Sequence, residues 1–132
     1  MKAELDAKLV QDFPMLYIDR HADLRKTCMC FGFECGDGWY GLINDVSAKL
    51  EKMIVQYRQK HPNDEYFPHA SQVKEKFGTL RFYMSSSTDE MNDAIREAED
   101  KSSITCERCG NKGKLCGKGW LTTLCASCEP NG

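Results

Sequence analysis

Four cysteines in the last quarter of the chain have the spacing of a metal cage. Two residues separate Cys106 from Cys109, two separate Cys125 from Cys128, and fifteen lie between the pairs. A two-residue gap lets one tight turn aim both sulfurs at a single point, and two such turns complete a tetrahedron, as in a four-cysteine zinc ribbon. Gly110 and Gly113 follow the first pair, and Gly117 and Gly119 precede the second, where a ribbon needs turns. The alternative is ordinary thiols spaced this way by chance. Four protein ligands would close the coordination shell, so the expected cofactor is one structural Zn2+ and not a catalytic ion. A segment this short and glycine-rich buries little apolar surface, and structural zinc supplies about 10–16 kcal/mol of apparent binding energy. Cys116 lies between the pairs and reads as a small apolar residue in a ribbon strand.

Two other groupings could carry chemistry. Cys28, Cys30 and Cys35, with His21 upstream, could hold a second metal, although Cys-x-Cys is a less typical hook and buried free thiols are the plainer reading. In the string Glu34-Cys35-Gly36-Asp37-Gly38-Trp39, a thiol just before a helix start could become nucleophilic. A histidine would have to pair with it, and His21, His61 and His69 are all distant in sequence. The plainer reading makes the string a tight turn in which Asp37 caps the helix and Trp39 plugs the core. Glu34, Cys35 and Asp37 therefore stand as a possible second functional cluster, with no catalytic residue assigned.

Positive charge gathers in the tail. Residues 101–128 carry five basic side chains against Glu107, a balance of +2 once a dication and four thiolates are included. Lys112, Lys114, Lys118 and Trp120 are the candidate contacts to nucleic acid or another partner, with Trp120 able to stack on a base. A solvated basic face is the competing reading. Lys74, Lys76 and Arg81 would extend the patch if their face is open.

These groups need elements to position them. A length of 132 residues with 41% hydrophobic and 29% charged residues suits a soluble globular protein with a real core. The net charge of −2 argues against whole-surface attraction to nucleic acid or membrane. No run approaches the roughly 18 apolar residues of a membrane span, and the opening residues lack the apolar stretch of a secretory signal. Eight cysteines without an export signal point to the reducing cytoplasm. Leu5, Leu9 and Val10 predict a short first helix ending near Pro14. Trp39, Leu42, Ile43, Val46, Leu50, Met53, Ile54 and Tyr57 fall on one face of a long helix that ends at His61-Pro62. Gln72 to Met84 predicts a hairpin turning at Gly78, with Val73, Glu75 and Phe77 alternating on one arm and Leu80, Phe82 and Met84 on the other. Ser87 and Glu90 have the spacing of a capping box that opens a helix through Ala98. The expected fold is α+β, with helices packed on a small antiparallel sheet (residues 1–104) and a docked zinc-ribbon module (residues 105–132).

Three ordered strings, Phe33-Glu34-Cys35-Gly36-Asp37-Gly38-Trp39-Tyr40, Gln72 through Tyr83, and Ile95-Arg96-Glu97-Ala98-Glu99 ahead of Cys106-Glu107-Arg108-Cys109-Gly110, resemble a group of small, largely uncharacterised proteins of bacteriophages, prophages and bacterial genomes. The resemblance spans about residues 30–128. It implies a phage or mobile-element origin and no particular activity. The expected function is that of a non-enzymatic interaction protein acting on a host or phage macromolecule in the bacterial cytoplasm, with a protein partner. The alternatives are a nucleic-acid-binding ribbon and a small enzyme or nucleotide-binding protein built on Glu34, Cys35 and Asp37.

Overall fold

The apolar repeat between Trp39 and Tyr57 folds as the longest helix and organises the rest. In the computed structural model, which describes residues 1–130, the elements are α1 (Ala3–Asp12), β1 (Phe33–Glu34), α2 (Tyr40–Lys60), β2 (Ala70–Lys76), β3 (Thr79–Met84), α3 (Asp89–Ser102), β4 (Lys114–Cys116) and β5 (Thr122–Leu124). Single 3-10 turns at Cys28–Phe31 and Asp37–Trp39 flank β1. The last two residues of the expected ribbon module, Asn131 and Gly132, lie outside the described residues.

Helix α2 buries Ile43, Val46, Leu50 and Ile54, the stripe that a 3.6-residue period places on one side. Asp37 does not cap it. Its Oδ1 accepts the Lys2 amide at 2.7 Å, and the chain enters the helix through the 3-10 turn with Trp39 fully buried. Helix α3 likewise buries Met91, Ala94, Ile95 and Ala98. Its cap is Thr88, one residue later than the Ser87 box predicts. Thr88 has the extended backbone an N-cap requires, and its Oγ1 accepts the Met91 amide at 3.2 Å. The Ser87 hydroxyl turns to Asn92 Oδ1 at 2.7 Å.

Strands β2 and β3 form the expected hairpin, pairing Val73 with Phe82, Lys74 with Arg81 and Lys76 with Thr79. The turn is Phe77–Gly78, both at positive φ (54° and 84°), the signature of a two-residue type I′ connection. Phe77 therefore sits in the turn and not on the strand, 65% exposed. Strand β1 joins β2 in parallel, with Phe33 beside Val73, because α2 carries the chain back to the sheet's starting end. The main sheet is thus mixed. The purely antiparallel sheet is the ribbon pair β4–β5.

The inner face of the main sheet presents Phe33, Val73, Leu80 and Phe82 to the core. The Tyr17 ring meets Phe33 edge-on at 4.9 Å, and its hydroxyl bonds Ser47 Oγ at 2.5 Å. Burial holds that phenol well above the usual range, so it stays protonated. The Glu51 carboxylate accepts the amides of Met15 (2.7 Å) and Leu16 (3.1 Å), pinning the segment after α1 onto α2. The outer edge of β3 is closed by side chains of α3: the Leu80 amide donates to Ser102 Oγ at 2.9 Å and the Phe82 amide to Glu99 Oε2 at 3.0 Å. Among the described residues, no helix is long and apolar enough to cross a membrane.

Candidate metal centre

The two cysteine pairs converge. The sulfurs of Cys106, Cys109, Cys125 and Cys128 all lie within 4.8 Å of one another, and those of Cys109 and Cys125 are 3.6 Å apart. Metal–sulfur bonds of about 2.3 Å would require sulfur–sulfur edges of about 3.8 Å. The set therefore fits one tetrahedral ion and could hold it. The first pair sits on a knuckle closed by the Gly110 amide to the Cys106 carbonyl (2.9 Å) and the Cys106 amide to the Asn111 carbonyl (2.7 Å). The second follows β5, and the Cys128 amide bonds the Cys125 carbonyl at 3.1 Å.

The electrostatics suit a cation. Burial pushes the Cys106 thiol up, but backbone amides of Cys125, Cys109 and Arg108, together with the Cys109 thiol, outweigh it and draw it down to about 6. The Cys128 thiol goes the other way, to about 12, because it shares protons with Cys125, Cys109 and Cys106. Four sulfurs this close cannot all ionise by themselves. A dication would stabilise the four thiolates together.

The knuckle is seated on the core by the string that the sequence marks as unusual. The Gly38 amide donates to the Glu107 carbonyl at 2.8 Å, the Gly36 amide to Glu107 Oε2 at 2.9 Å, and Trp39 Nε1 to the Thr105 carbonyl at 2.9 Å. A methyl group on Gly38 would collide with the Cys106 carbonyl and, at 2.6 Å, with the Gly110 amide; one on Gly36 would strike the Glu107 carbonyl. The hairpin turn closes the other side, where Thr123 Oγ1 donates to the Gly78 carbonyl at 2.7 Å. Glycine at 36 and 38 is thus required by close approach of ribbon backbone, whereas at 78 it is the φ of 84° that favours glycine. Gly-x-Gly beside Trp39 was the available signal, but only the fold shows what approaches it.

The cluster of Glu34, Cys35 and Asp37 does not assemble as a reaction centre. Cys35 is buried, and desolvation, followed by the charge of Glu107, pushes its thiol up to about 12, away from nucleophilic behaviour. Asp37 is held by Lys2, and Glu34 is exposed on the outer face beside Lys74. Cys28 is exposed and Cys30 donates to the Thr27 carbonyl at 3.3 Å. The C-terminal set is the one metal-ligand cluster among the described residues, so Cys28, Cys30, Cys35 and His21 are not brought together. Cys116 is half-buried in β4, its thiol on the Thr122 carbonyl at 3.3 Å. Lys112, Lys114, Lys118 and Trp120 are all exposed, Trp120 by 79%.

One constellation was invisible in the sequence: His69 lies between Asp19 (Nε2 to Oδ2, 2.9 Å) and Ser85 (Nδ1 to Oγ, 3.2 Å). It resembles a serine, histidine and aspartate relay, yet Nδ1 is claimed more closely by the Phe67 carbonyl at 2.7 Å. A carbonyl only accepts, so Nδ1 carries its proton there and cannot take one from Ser85. The Ser85 hydroxyl accepts the His69 amide. The arrangement ties the start of β2 to the loop after α1. No family model, curated protein or solved structure matches the chain.

Proposed function

We propose that the chain is a non-enzymatic interaction protein, folded around one structural zinc ion, that binds a host or phage macromolecule and modulates it in the bacterial cytoplasm. Host defence and transcription are the systems the proposal has in view, with a protein as the expected partner. The observation that carries it is the closed set of four sulfurs on a knuckle bonded to Gly36, Gly38 and Trp39. Such a site uses every ligand position of a tetrahedral ion for folding and leaves none for substrate. All-thiolate ligation with tetrahedral edges favours zinc among the common divalent ions. The phage origin is supported by the resemblance of the three strings.

Native mass spectrometry should find one zinc per chain. Affinity capture of the tagged, zinc-loaded protein from bacterial lysate, with proteins and nucleic acids both identified, should return one stoichiometric partner. A metal-free native protein, or a capture that returns nothing above background, would sink the proposal.

A further inference from the structure

The outer face of the main sheet is built for a polyanion. Gln72, Lys74, Lys76, Thr79, Arg81 and Tyr83 point away from the core, and none of them is buried. Lys74 stands directly opposite Arg81, a cross-strand pairing of like charges that weakens a sheet unless an anion lies over it. The Arg81 Nε is shielded from solvent, and among the described residues no acceptor reaches it. Lys26 joins from the loop before β1, lining one shallow cleft with Lys74 and Tyr83. Against these cations the face carries one carboxylate, Glu34, in the row of Lys74. Glu75, on the opposite side of β2, is half-buried and also lines the cleft between Phe77 and Trp120, where its carboxylate accepts the Gly78 amide at 2.8 Å.

Aromatic rings are interleaved with this charge. Tyr83 (44% exposed) and Arg81 alternate along β3 at about 7 Å per two residues. At the hairpin tip, Phe77 is held at φ 54°, a conformation that a bulky side chain rarely adopts and that projects its ring into solvent. Asn-Gly would make the same turn without that strain. Phe77 and Trp120 line one cleft together with Lys76, whose ammonium is 5.5 Å from the Phe77 ring centre. A protein-binding hot spot gathers its aromatic residues into one dry centre. Rings spaced singly between cations instead match bases alternating with phosphates.

We infer that this face binds single-stranded nucleic acid, with phosphates on Lys74, Lys76 and Arg81 and unpaired bases on Tyr83, Phe77 and Trp120. The inference rests on the reading of the chain as a binding protein and adds a nucleic-acid ligand beside the protein partner expected there. Duplex is disfavoured, because its bases are stacked on one another and offer no free face.

The test uses the full zinc-loaded chain and labelled oligo(dT), oligo(U) and a duplex, followed by fluorescence anisotropy at low and raised salt. At least one single strand should bind more tightly than the duplex, with a log–log salt slope near −2, about −0.7 for each of three phosphates. The two single strands separate DNA from RNA as the source. Trp120→Ala should weaken binding roughly five- to hundredfold, the range for loss of one stacked base. Phe77→Asn and Lys74→Thr carry the sharper expectation. Each should leave the melting temperature unchanged or raised while weakening binding several-fold, so that loss of fold cannot explain the loss of affinity.

Absence of single-strand binding at low salt overturns the inference. So does unaltered binding by folded Phe77→Asn and Lys74→Thr, equal affinity for duplex, or tighter binding of an acidic polypeptide such as polyglutamate. Those results leave the broader reading standing if lysate capture returns a stoichiometric protein. The absence of metal or of any captured partner removes that reading itself.

Discussion

Gly38 and Gly41 stand three residues apart in opposite circumstances. A Cβ at 38 meets backbone of the metal knuckle, whereas among the described residues nothing lies within 4 Å of a Cβ at 41, in the first turn of α2. Gly38→Ala should lower stability by about 1–3 kcal/mol through overpacking. Gly41→Ala should raise it by about 0.5–1 kcal/mol by restricting the unfolded chain. Denaturant melts of the two variants compare these signs directly. Cysteine reactivity separates the thiols in the same way. In the native zinc-loaded protein, iodoacetamide should modify exposed Cys28 first and leave Cys35 untouched until the chain unfolds, because burial keeps that thiol protonated and covered. Peptide mapping of a time course reads the order, and early labelling of Cys35 would contradict the burial.

At the scale of elements, the long helix and the hairpin were legible because the apolar repeats of α2 and β2–β3 are strong and local. The metal ligands were legible because their spacing is itself the geometry. Three things were not. The parallel pairing of Phe33 with Val73 depends on a partner forty residues away. The Thr88 cap depends on backbone angles, with two hydroxyl residues adjacent and equally suitable by type. Phe77 reads as a strand residue by alternation, and the turn took it because the register puts Lys76 opposite Thr79. Glu51 is another residue whose part appears only in the fold. Its carboxyl is held above the ordinary 4.5 by burial, which outweighs the amides of Met15 and Leu16. With the folded value above the unfolded one, its contribution is complete below about pH 4.5 and is lost as pH rises through the folded value. Glu51→Gln keeps an oxygen for those amides without the charge. Its stability should meet that of the parent in acid and exceed it at neutral pH, measured by urea melts across pH. Glu51→Ala, which removes the acceptor, should lose about 1–2 kcal/mol.

For the whole molecule, the ribbon and the core share one set of hydrogen bonds, so metal binding reaches well beyond the four sulfurs. Chelation should release the knuckle and, with it, the Gly36 and Gly38 amides and the indole of Trp39, which otherwise bond to Glu107 and Thr105. In a Trp120→Phe background, Trp39 emission should shift to the red and its amide neighbours should lose exchange protection, while the helices of the core persist. Retention of both signals after the metal has gone would show that the seat holds without it. The helix that seals β3 has a different consequence. With Glu99 and Ser102 occupying the Phe82 and Leu80 amides, lateral polymerisation finds those two donors already taken. A proteolytic nick in the Ser85–Thr88 loop that let α3 drift away would remove that stopper and turn a self-limiting strand into the seed of a fibril.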